Sequence, residues 1–128
     1  MKVSELTGGL LDLWVACAEG EALTMHPPQN GRYWLKQGDY GSVKECPRYS
    51  TDWSHGGPII ERDLGTFSIE RNGNGEACWY WADMGRTLSR YRLGGPTHLI
   101  AAMRAYVASK FGEEVSDAAS QAAEERKS

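Results

Sequence analysis

Leu6, Leu10, Leu13, Trp14 and Cys17 recur at helical spacing, and Leu99, Ile100, Met103, Tyr106 and Val107 do so again near the other end. Each set falls on one face of a helix with 3.6 residues per turn. The first predicts a helix over residues 4–18, with Ser4 as N-cap and Gly20 as its stop. Gly8-Gly9 inside it costs about 1 kcal/mol per glycine relative to alanine. The second predicts a helix over residues 97–111, capped by Thr97 and ended by Gly112. Between the two helices the period shortens to that of strands. Residues 66–71 and 77–82 read as a hairpin around Asn72-Gly73-Asn74-Gly75, with Trp79 and Trp81 on one strand face and Cys78 and Tyr80 on the other. A further strand is expected near residues 88–93.

The stretch from Glu21 to Arg48 carries weaker signals. His26-Pro27-Pro28-Gln29-Asn30-Gly31 is turn chemistry, Arg32-Tyr33-Trp34-Leu35 a short strand, and residues 36–41 a loop. Gly57-Pro58 is expected to open a brief helix carrying Ile59, Ile60, Glu61 and Arg62, with proline at its first position. Beyond Val115 the chain is Ala, Ser, Glu, Gln and Lys with little to bury, so residues 116–128 are expected to be a frayed or disordered polar tail. The pattern predicts an α+β fold: one domain over residues 1–115, a small antiparallel sheet packed by an N-terminal and a C-terminal helix.

Composition narrows the function. The net charge of −3 over 128 residues gives no basis for broad nucleic-acid binding. No apolar run approaches the ~20 residues that span a bilayer, and the N-terminus meets charge at Lys2 and Glu5, without a signal-peptide core. Cys17, Cys46 and Cys78 form no C-x-x-C pair and share no ligand spacing with His26, His55 or His98. Free thiols in a reducing cytosol follow, with no metal and no cofactor expected.

Candidate chemistry gathers in residues 49–62, where hydroxyls, a carboxylate, an indole, an imidazole and Gly56-Gly57-Pro58 crowd together. The Gly-Gly-Pro recurs at residues 94–96, again before an expected helix, and a helix start offers free N–H groups to an anion. Asp52 and His55 with Ser50, Thr51 or Ser54 have the residue types of a hydrolase. A working triad needs a nucleophile, base and orienting acid in fixed geometry, normally from separate elements. A turn shaped by Ser-Thr-Asp hydrogen bonds is the simpler account. Aromatic faces such as Trp53 and Trp81 can stack on a nucleobase, and Arg62 or Arg104 can pair with phosphate. The structural alternatives are a packed core for the aromatics and solvated ion pairs for the arginines. The candidate ligand-binding set is therefore Tyr49, Ser50, Thr51, Asp52, Trp53, Gly56, Gly57, Arg62, Trp81, Thr97 and Arg104.

Ser50-Thr51-Asp52-Trp53 followed by residues 56–62 resembles the central signature of the phage NinX-like family. Residues 95–97 and 99–112 resemble its C-terminal block, and residues 1–8 with 13–16 its opening helix. His98 departs from the pattern, where relatives commonly carry proline. The resemblance implies a phage accessory protein acting in the cytoplasm of the bacterial host, and it carries no catalytic residue. Two readings follow. One is a non-enzymatic protein that binds a small anionic ligand, sequestering a nucleotide-type signal of host defence. The other is an adaptor or inhibitor that uses exposed aromatics against a host or phage protein. Open sheet edges also allow homo-oligomers; no membrane partner is expected.

Overall fold

The computed structural model describes residues 1–24, 28–30, 32–38, 41–85 and 91–115. Helix α1 (Gly8–Ala18) is followed by strands β1 (Trp34–Gln37) and β2 (Ser42–Glu45), then helix α2 (Trp53–Asp63). Strands β3 (Leu64–Arg71), β4 (Ala77–Met84) and β5 (Tyr91–Gly95) lead into helix α3 (His98–Phe111). Both sheets, β1-β2 and β3-β4-β5, are antiparallel. The expected α+β fold is the one observed. The tail expected over residues 116–128 lies outside the described residues.

Helix α3 is the hub. Thr97 Oγ1 accepts the Ile100 N–H at 3.1 Å, as a cap should, and Gly112 ends the helix with φ 88°. Every residue from Ala101 to Ala108 is buried. One side of α3 lies on β4 and β5, and α1 and α2 pack on others. The approach to β5 is close enough that a Cβ on Gly95 would stand 2.9 Å from the Ala101 nitrogen. Register puts Tyr80, Ala82 and Met84 on the sheet face toward α3, while Trp79 and Trp81 take the other face beside Gly94. That division is the one the alternation predicted.

The hairpin β3-β4 also forms as predicted. Asn72 Oδ1 accepts the Asn74 and Glu76 N–H groups, and Gly75 takes φ 80°. The strand expected near residues 88–93 is observed as Tyr91–Gly95, and residues 86–90 lie outside the described residues.

Three expectations are corrected. Helix α1 starts at Gly8 rather than Ser4, because Val3–Glu5 form a separate 3-10 turn whose Val3 N–H is taken by the Glu113 carbonyl. Its buried set exceeds one stripe and includes Leu11, Val15, Ala16 and Asp12, since more than one side is covered. Helix α2 starts at Trp53, so Pro58 is interior and not at the first position. Asp52 sets that start by accepting the Ser54 N–H at 2.9 Å and its hydroxyl at 2.7 Å. Lys36 and Gln37 belong to β1 rather than to a loop, and β2 pairs with them across a turn holding Gly38 and Gly41 at positive φ. These strands are only four residues long and half exposed, with Leu35 alone fully buried, so they leave almost no alternation to read.

Candidate functional site

Only the second Gly-Gly-Pro, residues 94–96, stands directly before a helix, the capped start of α3; the first does not launch one. Gly56 and Gly57 lie inside α2, and Gly94 and Gly95 close β5. Their role is close packing. A Cβ on Gly56 would stand 2.3 Å from the Tyr49 carbonyl oxygen and 2.6 Å from Leu99 Cδ1. This contact draws α2 against the start of α3.

Where α2 and α3 begin side by side, a cavity of about 330 Å³ opens, lined by Ser50, Thr51, Trp53, Tyr80, Pro96, Thr97, His98, Leu99 and Ile100. Its size suits a small ligand. Trp53, 54% exposed, stands at the rim. The His98 ring packs against Tyr80 at 4.2 Å and Phe67 at 4.8 Å between centroids. The first i to i−4 bond of α3 is Ala101 N–H to Thr97 carbonyl. The N–H groups of His98 and Leu99 therefore precede the intrahelical ladder and lie at the positive end of the helix. At α2 the corresponding end is already matched by the Asp52 carboxylate.

Ser50 is 1% exposed, and its hydroxyl makes no hydrogen bond of ordinary geometry. Its N–H donates to Asp12 Oδ1 at 2.8 Å. Burial pushes the Asp12 carboxyl above its usual range; the Ser50 hydroxyl and N–H, then Arg48 and His55, pull the other way without prevailing. A buried hydroxyl without a well-formed hydrogen bond is tolerated where a ligand or solvent completes the pairing.

The candidate residues thus divide. Ser50, Thr51, Trp53 and Thr97 meet at the cavity. Tyr49 and Gly56 support it from behind, and a Cβ on Gly57 would stand 3.9 Å from Trp53 Cε3. Asp52 caps α2, with His55 Nε2 3.8 Å from its Oδ2; both side chains are about half exposed and line a different cavity with Arg48. Ser54 donates to the same Asp52 oxygen that caps the helix, so this trio serves the helix start. Trp81 occupies the opposite sheet face, with Arg92 over its ring at 5.6 Å.

Neither arginine lines the cavity. Arg62 pairs with both Glu19 oxygens and with Asp63, and also donates to the Tyr106 hydroxyl. Burial raises Glu19, but the hydrogen bonds from Arg62 and Tyr106 outweigh it and hold the carboxyl below its usual range. Arg104 is buried and donates to the Leu6 and Gly94 carbonyls at 2.8 and 2.9 Å, with burial lowering its pKa.

Sequence reasoning missed Tyr80, His98 and Asp12. The signal for Asp12 was available: it is the one charged residue inside the apolar run of α1. His98 stood out as the departure at the first turn of the last helix.

The family described as Bacteriophage P22, NinX matches residues 2–110. The chain belongs to this family. Every residue lining the cavity lies inside the segment that matches the P22 NinX family, as do Asp12 and Ser50. Membership fits a phage accessory protein. No curated protein matches the chain. Among the described residues, no helix is long and apolar enough to cross a membrane.

Proposed function

We propose that this phage accessory protein is a non-enzymatic binder of a small anionic, nucleotide-type ligand, held in the cavity between α2 and α3. The observation that carries the reading is the meeting of Trp53, Tyr80 and His98 with the open N-terminal end of α3 beside the buried Ser50 hydroxyl, which makes no hydrogen bond of ordinary geometry. Rings supply stacking surfaces, and the His98 and Leu99 N–H groups face charge of the opposite sign. Sequestering a nucleotide signal of host defence would need this binding and no chemistry. The phage family is what supports that direction. Arg62 and Arg104 are left out, because their donors are already engaged elsewhere.

Titration with mononucleotides, cyclic dinucleotides and ADP-ribose derivatives tests the reading, by heat and by tryptophan fluorescence. One of them should bind and quench the wild type. Stacking worth ~1–3 kcal/mol per base makes Trp53→Ala bind about tenfold more weakly. Silence across the whole panel would sink it.

A second reading has its own observation: Trp79 and Trp81 lie on the sheet face away from α3. A protein partner on that face would be recovered stoichiometrically from infected cells and lost with Trp81→Ala.

A further inference from the structure

We propose that the cavity on the other side of Ser50-Thr51 is a second half-site, which reads the paired N–H donors of a guanine on the Asp12 carboxylate. This rests on the nucleotide-type ligand proposed above and names the base that the protein selects. The two cavities adjoin, since Thr51 belongs to the walls of both. The second encloses about 280 Å³, and Asp12 forms part of its wall.

Asp12 is 94% buried, being 6% exposed, yet only the Ser50 N–H reaches it with an ordinary hydrogen bond. An ionised carboxylate offers about four acceptor positions. One N–H leaves this desolvated carboxylate with acceptor capacity to spare beside a cavity that it lines, which suits donors from a ligand. Two parallel N–H donors on one planar edge match two carboxylate oxygens, which is how bidentate recognition gains its specificity.

The charges around the cavity decide which donor edge enters. Arg48 lines the same wall and makes no ion pair within 4 Å among the described residues. Arg32 is also there, 3.5 Å from Glu45. A cationic head such as a guanidinium would meet these arginines, so the donor edge must be neutral and the ligand must carry its anion elsewhere. Gly8 and Gly9, also in the wall, begin α1, and Thr7 does not cap that helix with its side chain. The first intrahelical bond is Leu11 N–H to Thr7 carbonyl, so the N–H groups before it suit the same anion. A neutral planar base with adjacent N–H donors and an attached phosphate is a guanine nucleotide. A second nucleoside could then reach the Trp53 cavity past Thr51.

The test is calorimetric titration with the 5′-monophosphates of guanosine, inosine and adenosine. Inosine lacks the 2-amino donor, and adenosine presents an acceptor where guanosine has its ring N–H. Guanosine monophosphate should bind about tenfold or more tightly than either of the others. Asp12→Asn should erase that preference, while Trp53→Ala weakens dinucleotide binding and leaves it intact. The asparagine retains an oxygen for the Ser50 N–H, and a melting curve confirms that the variant folds. Arg48→Ala should weaken the monophosphate more than guanosine itself. Equal affinity for all three, or a preference that survives Asp12→Asn, overturns the assignment while leaving a nucleotide binder standing. Failure of every nucleotide removes both readings.

Discussion

Asp12 in α1 and Glu19 just past its end lie within two turns of each other, and their surroundings push them in opposite directions. Burial holds the Asp12 carboxyl above its ordinary pKa, so at neutral pH the folded state carries a cost that protonation relieves. Its contribution to stability is full below the unfolded pKa and is lost as pH rises through the raised folded value. Glu19 is depressed by Arg62 and Tyr106. Its contribution is present above the unfolded pKa and is lost as pH falls through the lowered folded value. Asp12→Asn should therefore match or exceed the wild type in stability at neutral pH, with the gap closing on acidification. Glu19→Gln should be the less stable variant at neutral pH and converge on the wild type in acid. Urea unfolding of all three proteins from about pH 3 to 7 checks both signs. A residue that lowers stability while lining a cavity has the profile expected of a functional group, since binding sites are commonly held at the expense of folding.

At the scale of elements, α2 is built on a proximity that only one of its two glycines requires. Gly56→Ala would drive a methyl into the Tyr49 carbonyl and Leu99, with an overpacking cost of about 1–3 kcal/mol. Gly57→Ala meets nothing nearer than Trp53 Cε3 at 3.9 Å, so the better helix former should stabilise by about 0.5–1 kcal/mol. Opposite shifts in melting temperature from adjacent, chemically identical substitutions are the expected result; shifts of the same sign would show that α2 does not press on α3. The elements legible in the sequence were those with several agreeing signals. Helix α3 had a stripe, a cap and a terminal glycine, and β3-β4 had alternation around an Asn-Gly turn. The start of α2 was misplaced because Pro58, a strong marker of a first helical position, masks the Asp52 cap six residues earlier. The β1-β2 hairpin escaped because four-residue strands with exposed faces carry little pattern.

Across the whole molecule, Arg104 joins segments that no local pattern connects. It reaches from α3 to the Leu6 carbonyl, 98 residues away, and to the Gly94 carbonyl in β5. Arg104→Ala should cost roughly 3 kcal/mol, from two charge-assisted bonds lost and two buried carbonyls left unpaired. A cooperative melt displaced to lower temperature reports it, and an unchanged melt would contradict that bridging role. The sequence marked Arg104 as a phosphate partner because burial by distant segments is invisible along the chain. The same holds for the cavity: its walls come from the loop before α2, from β4 and from the start of α3, and only Ser50, Thr51, Trp53 and Thr97 were read correctly as neighbours. The clasp between residues 1–3 and residues 113–115 has a further consequence. Val3 pairs with Glu113, and Met1 exchanges hydrogen bonds with Val115. During synthesis, α1 emerges first with Leu11, Leu13, Trp14 and Val15 on several sides and no α3 to cover them. Its apolar surface must wait until α3 has left the ribosome, so the nascent α1 segment is the part most dependent on chaperones and most exposed to aggregation.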